Sequence, residues 1–547
     1  MRDEGEVKRV GWAKPTLLKA VLAAAMAAPG SYAAEAPYDL VLRNARIVDG
    51  TGTPWYRGDL AIRGDSIASI APAISGPAAR TVDVKGAVVA PGFVDLHTHA
   101  SRGIFQVPTA DNYVRQGVTT ILEGPDGSSP VPLKPFLDKL EAMPKSINIG
   151  TFLGQGSVRQ AVVGLANRAA TPDEVGRMRA IVEQGMRDGA FGLSTGLFYV
   201  PGTFTPLAEV VELQKVVSPY RGVHTSHMRD EASRIIDSVK ETIAIGEQGG
   251  VPTQISHHKV VGKGNWGKTV ETLRLVDDAR SRGIDATIDL YPYTASSTSI
   301  HAALMPAWAL EGGRRETLKR LKDPAMRAKI KAATADLIRH ERGGGDPRNV
   351  VLSLCDWDPS LAGKNLSDVA QARGLAPTPE NAAEIVAWLI EQGGCRGVFH
   401  SMGEEDLQRV IVHPAAMIAS DGEVPLFGSG APHPRSYGTF ARVLAVYVRE
   451  KKILTLEEAV RKMSSFPAAR IGLSDRGVLR PGMKADIAVF DPGRVRDAAT
   501  FEKPHQYAEG YSLVIVNGQV VYEDGSMTAA RPGRVLYGPG KTLLRSH

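Results

Sequence analysis

The chain has 547 residues, and 65 Lys+Arg against 59 Asp+Glu leave a net charge of +6 spread along its length, which excludes a basic nucleic-acid arm or an acidic tail as its main theme. Hydrophobic residues make up 43%, with 57 Gly and 35 Pro; this is the composition of a large folded globule with many tight loops and, at roughly 150 residues per domain, of three or four units. Two cysteines, Cys355 and Cys395, are too few for a disulfide scaffold or a Cys-rich zinc ribbon, whereas 13 His leave ample material for a metal site.

In chain order, the N-terminus reads as a targeting segment. Arg2, Lys8, Arg9 and Lys14 precede an apolar stretch at 17–28, and Ser31-Tyr32-Ala33 fits a small-x-small cleavage site. The stretch is too short to span a bilayer and Lys19 interrupts it. A signal peptide over 1–33 is therefore expected, with a mature chain from Ala34 that works in the periplasm or outside the cell; without cleavage the setting would be cytoplasmic. An exported chain would also allow Cys355 and Cys395 to pair. No later segment is long and apolar enough for a membrane span. From 38 to 90, and again from 478 to 545, short alternating strands break at Gly, Asp or Pro, and Asn517-Gly518 signals a hairpin. These two flanks predict one small β-sandwich domain assembled from both termini.

Between them, over 91–477, short apolar runs alternate with amphipathic helices. Candidate strands fall at 93–97, 118–123, 147–153, 190–194, 222–226, 252–256, 285–290 and 416–420, with helices such as 172–188 and 231–248 between them. Eight such strands predict an α/β fold, a parallel (β/α)8 barrel. The long stretch from about 303 to 413 reads as a subdomain inserted between strands seven and eight, able to cover the barrel mouth.

Polar residues suited to chemistry gather just after the strands, where a barrel places its active site. His97 and His99, two apart in an extended segment, face one way. His227 follows strand five, His257 strand six and Asp421 strand eight. Four His and one Asp at one rim suit one or two divalent ions, zinc first. His258 and His224 fall outside the set, one facing the other way and the other inside its strand, and could serve as supporting groups.

The ordered motifs GFVDLHTH, GLSTGLFYVPG, HMRDE, QISHHK, GNWGK, DLYPYTAS, SDG and HPRSYGTF resemble the N-acyl-D-amino-acid deacylases (D-aminoacylases) of the amidohydrolase superfamily, from about Tyr38 to Leu536. The resemblance implies that His97, His99, His227 and His257 are metal ligands and that Asp421 is the catalytic acid/base and a ligand. The chain departs from the family in two places. Where a bridging Cys commonly follows strand two, this sequence has TTILEGPDGSSP, so a carboxylate bridge is expected: Glu123 first, because an acid at the end of a buried strand is costly without a cation, and Asp126 as the alternative, with a turn role in GPDG equally open to it. The second departure is Gln155, where the family often has His; strand four, AFGLSTG, has none of the Lys that other superfamily branches carbamylate.

A zinc ion would lower the pKa of its water to about 7 and polarise an amide carbonyl, with Asp421 passing the proton to the leaving amine. The implied activity is hydrolysis of N-acyl-D-amino acids to a carboxylate and a free D-amino acid. Lys259, two residues past His257, and Arg435 are candidate anchors for the substrate carboxylate, with Tyr199, Tyr291 and Ser296 as further contacts; the resemblance favours Lys259 and Tyr291. The alternatives are a cyclic amidase of hydantoinase or dihydroorotase type, a dipeptidase, or a zinc-binding relative without activity. Nothing in the pattern predicts a nucleic-acid partner, and the oligomeric state is open.

Overall fold

The structure is a computed structural model that describes residues 38–543; the expected signal segment lies outside the described residues. Eight strands run in the predicted order: Phe93–Asp95, Val118–Glu123, Asn148–Thr151 with its continuation Leu153–Gly154, Gly192–Gly196, Val223–His227, Thr253–Ile255, Ala286–Leu290 and Ala416–Ile418. Consecutive strands pair in parallel. The ring closes where Gly422–Glu423 pairs with Thr98–His99. The strands at 118–123, 192–196, 223–227 and 286–290 are buried at every residue, because helices cover one face and barrel side chains the other.

Local signals set several helices. Pro172–Asp188 begins with a capping box between Thr171 and Glu174 and ends on Gly189 at φ 115°, a left-handed conformation that glycine adopts at little steric cost. The helix expected over 231–248 runs instead over Ile235–Gly249. It starts late because the Asp230 carboxylate accepts the amides of Ala232 and Arg234. That tight turn leaves Glu231 free to reach the barrel mouth.

The two β-rich flanks share one nine-stranded sheet. Ile487–Phe490 pairs antiparallel with Val88–Pro91 and so joins the C-terminal strands to the N-terminal ones. Asn517 and Gly518, both at positive φ, turn the hairpin between Tyr511–Val516 and Gln519–Glu523, as a primed two-residue turn requires.

After strand seven the chain leaves the barrel. Ser296–Ser299, Arg396–Phe399 and Val350–Leu354 form a three-stranded sheet. Helices such as Pro324–His340 and Pro379–Gln392 pack beside it, and residues 300–399 enclose a separate apolar core. Cys355 and Cys395 are joined by a disulfide inside that core. The helix Glu404–Val412 then packs on strand eight and belongs to the barrel.

Candidate metal centre

All the ligand candidates lie at the C-terminal ends of the strands. Asp126 stands at their centre. Its Oδ1 lies 3.4 Å from His97 Nε2 and 3.4 Å from His257 Nε2, and its Oδ2 lies 3.5 Å from His99 Nε2 and 3.7 Å from His227 Nδ1. Asp421 Oδ1 is 3.1 Å from His99 Nε2 and 3.7 Å from His97 Nε2. Two ligand groups result, His97, His99, Asp126 and Asp421 on one side and Asp126, His227 and His257 on the other, with Asp126 common to both.

The donor set fits metal. His97 Nε2, Asp126 Oδ1 and both ring nitrogens of His227 are buried with no hydrogen-bond partner. Each such orphan costs about 1–3 kcal/mol if nothing binds it, and these four atoms belong to the side chains of a single cluster. Two carboxylates among nitrogen donors match the borderline character of zinc. Asp126, His257 and Asp421 also hold positive φ, at 55°, 34° and 51°. Such backbone is sparsely populated by non-glycine residues and gathers at functional sites.

The structure corrects the first choice of bridging residue. Glu123 turns away from the cluster: its Oε2 accepts the Ser101 amide at 2.9 Å and its Oε1 the Ser101 hydroxyl at 2.7 Å. The strand ends at Glu123, and the chain then folds back over the mouth through Gly124 and Gly127, both at positive φ. Ser194 Oγ fastens this turn by donating to the Gly124 carbonyl and accepting from the Gly127 amide. A Cβ at Gly196 would strike the Asp126 carbonyl, so glycine on strand four admits the loop. A turn role and a ligand position thus coincide in Asp126.

The next layer of residues orients the imidazoles. Asp289 accepts the His257 amide at 2.7 Å and lies 3.6 Å from His97 Nδ1. Glu231 lies 3.2 Å from His257 Nδ1 and 3.7 Å from His227 Nε2, and it also pairs with Arg342 at 2.8 Å. Lys259 borders the cavity as expected, but its ammonium donates to Glu231, to His257 Nδ1 and to the His257 carbonyl. Its first role is therefore to hold His257. Burial alone would raise the carboxyl of Asp421, yet Arg435, 2.7 Å away, and His99 hold it well below the usual carboxylate range.

Tyr199 and Ser296 line the metal cavity, which has a volume of about 240 Å3. Tyr291 stands behind that wall, with its ring 4.6 Å from the Arg435 guanidinium and 5.7 Å from the Lys259 ammonium. His258 bonds Thr272 Oγ1, and Gln155 donates to Thr205 Oγ1, so both are packing residues. Sequence reasoning missed Glu231, Arg342 and Arg396. Glu231 had a signal, four residues after His227 in HMRDE; the two arginines come from the inserted subdomain and had none.

His224 is a core residue bonded to Thr195 and Thr253 hydroxyls at 2.9 and 2.8 Å. Burial, helped by Arg470, lowers its pKa to about 3. The unfolded chain takes up this proton near the ordinary histidine value and the folded chain does not. The folded state therefore loses stability as pH falls from about 6.5 to about 3. His224→Gln is expected to flatten that slope in urea unfolding midpoints, and an unchanged slope would contradict the assignment.

Known proteins resemble this chain along most of its length. The amidohydrolase family model matches residues 80–522. D-aminoacylase of Alcaligenes xylosoxydans xylosoxydans is 36% identical over 91% of this chain and 98% of its own length. A D-aminoacylase structure solved to address the functional role of its binuclear metal center is 34% identical, covers 92% of this chain and 100% of that one, and has a TM-score of 0.78. N-acyl-D-glutamate deacylase from Bordetella bronchiseptica, solved with zinc and a phosphonate mimic of the reaction's tetrahedral intermediate, reaches 0.79 at 32% identity with the same coverage. With an eight-stranded barrel, a histidine–carboxylate cluster at its mouth and likeness along nine-tenths of its length, the chain belongs to the amidohydrolase family, among the N-acyl-D-amino-acid deacylases.

Proposed function

We propose that the protein is a zinc-dependent amide hydrolase that releases D-amino acids from N-acyl-D-amino acids. The observation that carries this reading is the Asp126-centred cluster with Asp421 beside it. The same likeness to N-acyl-D-amino-acid deacylases favours linear amides over the cyclic substrates of a hydantoinase. So does strand four, Gly192–Gly196, which carries no lysine.

His97, His99, Asp126 and Asp421 would hold one ion, and Asp126, His227 and His257 a second. Bound there, zinc supplies Lewis acidity toward the amide carbonyl and lowers the pKa of water to about 7. Asp421 does the proton work. Arg435 keeps it ionised, so it accepts the proton of the attacking water on a carboxylate oxygen and delivers it to the departing nitrogen. Glu231 and Asp289 keep His257 and His97 in place throughout.

Arg435 is the anchor for the substrate carboxylate, with Lys259 and Ser296 on the adjoining wall. Arg435→Ala is expected to raise KM at least about tenfold at full zinc content, and to move the acid limb of kcat/KM to higher pH because Asp421 loses its cation. Unchanged KM would remove Arg435 from substrate binding.

An extracytoplasmic setting belongs to the same reading. The basic and apolar text of residues 1–33 supports it, as does the Cys355–Cys395 bond, which suits an oxidising compartment. Among the described residues no helix is long and apolar enough to cross a membrane. The direct test of function is turnover of matched N-acetyl-D- and N-acetyl-L-amino acids by the zinc-loaded protein. Selective hydrolysis of the D-series is expected; hydrolysis of cyclic ureides alone would establish the alternative.

A further inference from the structure

Beside the metal cavity lies a second cavity more than twice its volume. It has a volume of about 550 Å3 and lies between the loop after strand four and the inserted subdomain. Its walls include Leu165, Val200, Met305, Leu310, Leu337 and Ile390. Tyr199, Val200 and Ser299 line both cavities, so the two adjoin. Phe198 and Tyr199 form the partition, their rings 5.4 and 4.7 Å from that of His227.

A third cavity, of about 210 Å3, adjoins the metal cavity through other residues, Arg102, Ser297, Arg396 and Asp421, and includes Arg435. It shares no lining residue with the apolar chamber. One side of the metal cavity therefore borders the guanidiniums of Arg102 and Arg396, paired with Glu423, and of Arg435, paired with Asp421, and another side opens on the apolar chamber. An N-acyl amino acid is polar at one end and can be apolar at the other. Its α-carboxylate belongs at the arginine wall, and its side chain branches from the same carbon. The acyl group leaves the scissile carbonyl on the far side of the amide.

The chamber has little to offer a carboxylate. Arg229 is committed to Glu241 and to the carbonyls of Thr203 and Thr205, and Arg314 to the carbonyls of Ile390 and Glu391. A space of this size is also within the range of about 300–1,000 Å3 that takes up a whole drug-sized ligand, far beyond what an acetyl group fills. Resting on the deacylase reading above, we infer that the chamber receives the acyl chain, and that the substrates are N-acyl-D-amino acids bearing a medium to long saturated acyl group.

The test is a series of N-acetyl-, N-butanoyl-, N-octanoyl- and N-decanoyl-D-alanine with the zinc-loaded full chain, beside N-acetyl-D-amino acids of increasing side-chain length. Each methylene entering the chamber is expected to raise kcat/KM about threefold until the space is filled, so octanoyl, six methylenes longer than acetyl, should exceed it by at least about thirtyfold once three of them have entered. Ala307→Trp, which places an indole in the chamber, should lower the octanoyl-to-acetyl ratio at least about tenfold. A flat or falling acyl series, with acetyl substrates turned over, overturns the chamber's role and leaves the deacylase reading intact. A rise along the side-chain series alone assigns the chamber to the side chain and likewise overturns the inference. No turnover of any D-substrate removes both.

Discussion

Asp421→Asn is expected to lower kcat by about a thousandfold with KM little changed, the scale on which positioned proton transfer contributes to enzymic rates. The substitution keeps the shape of the side chain but leaves one oxygen, for either Arg435 or the ligand cluster, and removes the group that carries the proton. Asp421 is well placed to carry it, since Arg435 sits 2.7 Å from one oxygen and His99 3.1 Å from the other. Its amide donates to the His97 carbonyl, so the backbone fixes it against strand one. Zinc analysis of the purified variant separates two roles. A loss of kcat at full zinc identifies the proton carrier, and zinc lost in parallel would make Asp421 a ligand first. A loss smaller than about tenfold would exclude the proton role.

Asp126→Ala is expected to remove zinc and reduce activity at least about a hundredfold, while Glu123→Ala keeps its zinc. The contrast is large because one residue faces all four histidines and the other faces only Ser101. Removing the shared carboxylate would leave the two ligand groups with no common member. Asp126→Cys should restore binding and shift preference toward softer ions, since a thiolate replaces an oxygen donor. Zinc retained in Asp126→Ala would overturn the bridging assignment. Zinc lost in Glu123→Ala would show that the Ser101 contacts hold the strand end in place.

The contrast between these two acids also shows where sequence reasoning stops. Strand two is legible from its apolar run, and so is the acid at its end. The turn after it is not. Whether Glu123 or Asp126 enters the mouth depends on Gly124 and Gly127 reversing the chain, on Ser194 pinning that reversal from strand four, and on Gly196 leaving room for it. Those are contacts with a strand about 70 residues away, with no local periodicity to announce them. Lys259 is similar: its spacing from His257 points it to the cavity, but its partner Glu231 arrives from another loop. Arg342 and Arg396 are invisible in the sequence because the inserted subdomain brings them in from outside the barrel's repeat.

What the sequence determined by itself is the barrel, its strand order and four histidines with Asp421 at one rim. Strands alternating with amphipathic helices leave few other ways to bury their apolar faces, and residues following parallel strands must emerge at the same end. The identity of the central carboxylate, the commitments of the cations and the chamber beside the metal cavity are set by tertiary contacts alone. Each of these depends on side chains from distant elements meeting in a low-dielectric space, where one charge partner or one glycine settles which group faces inward.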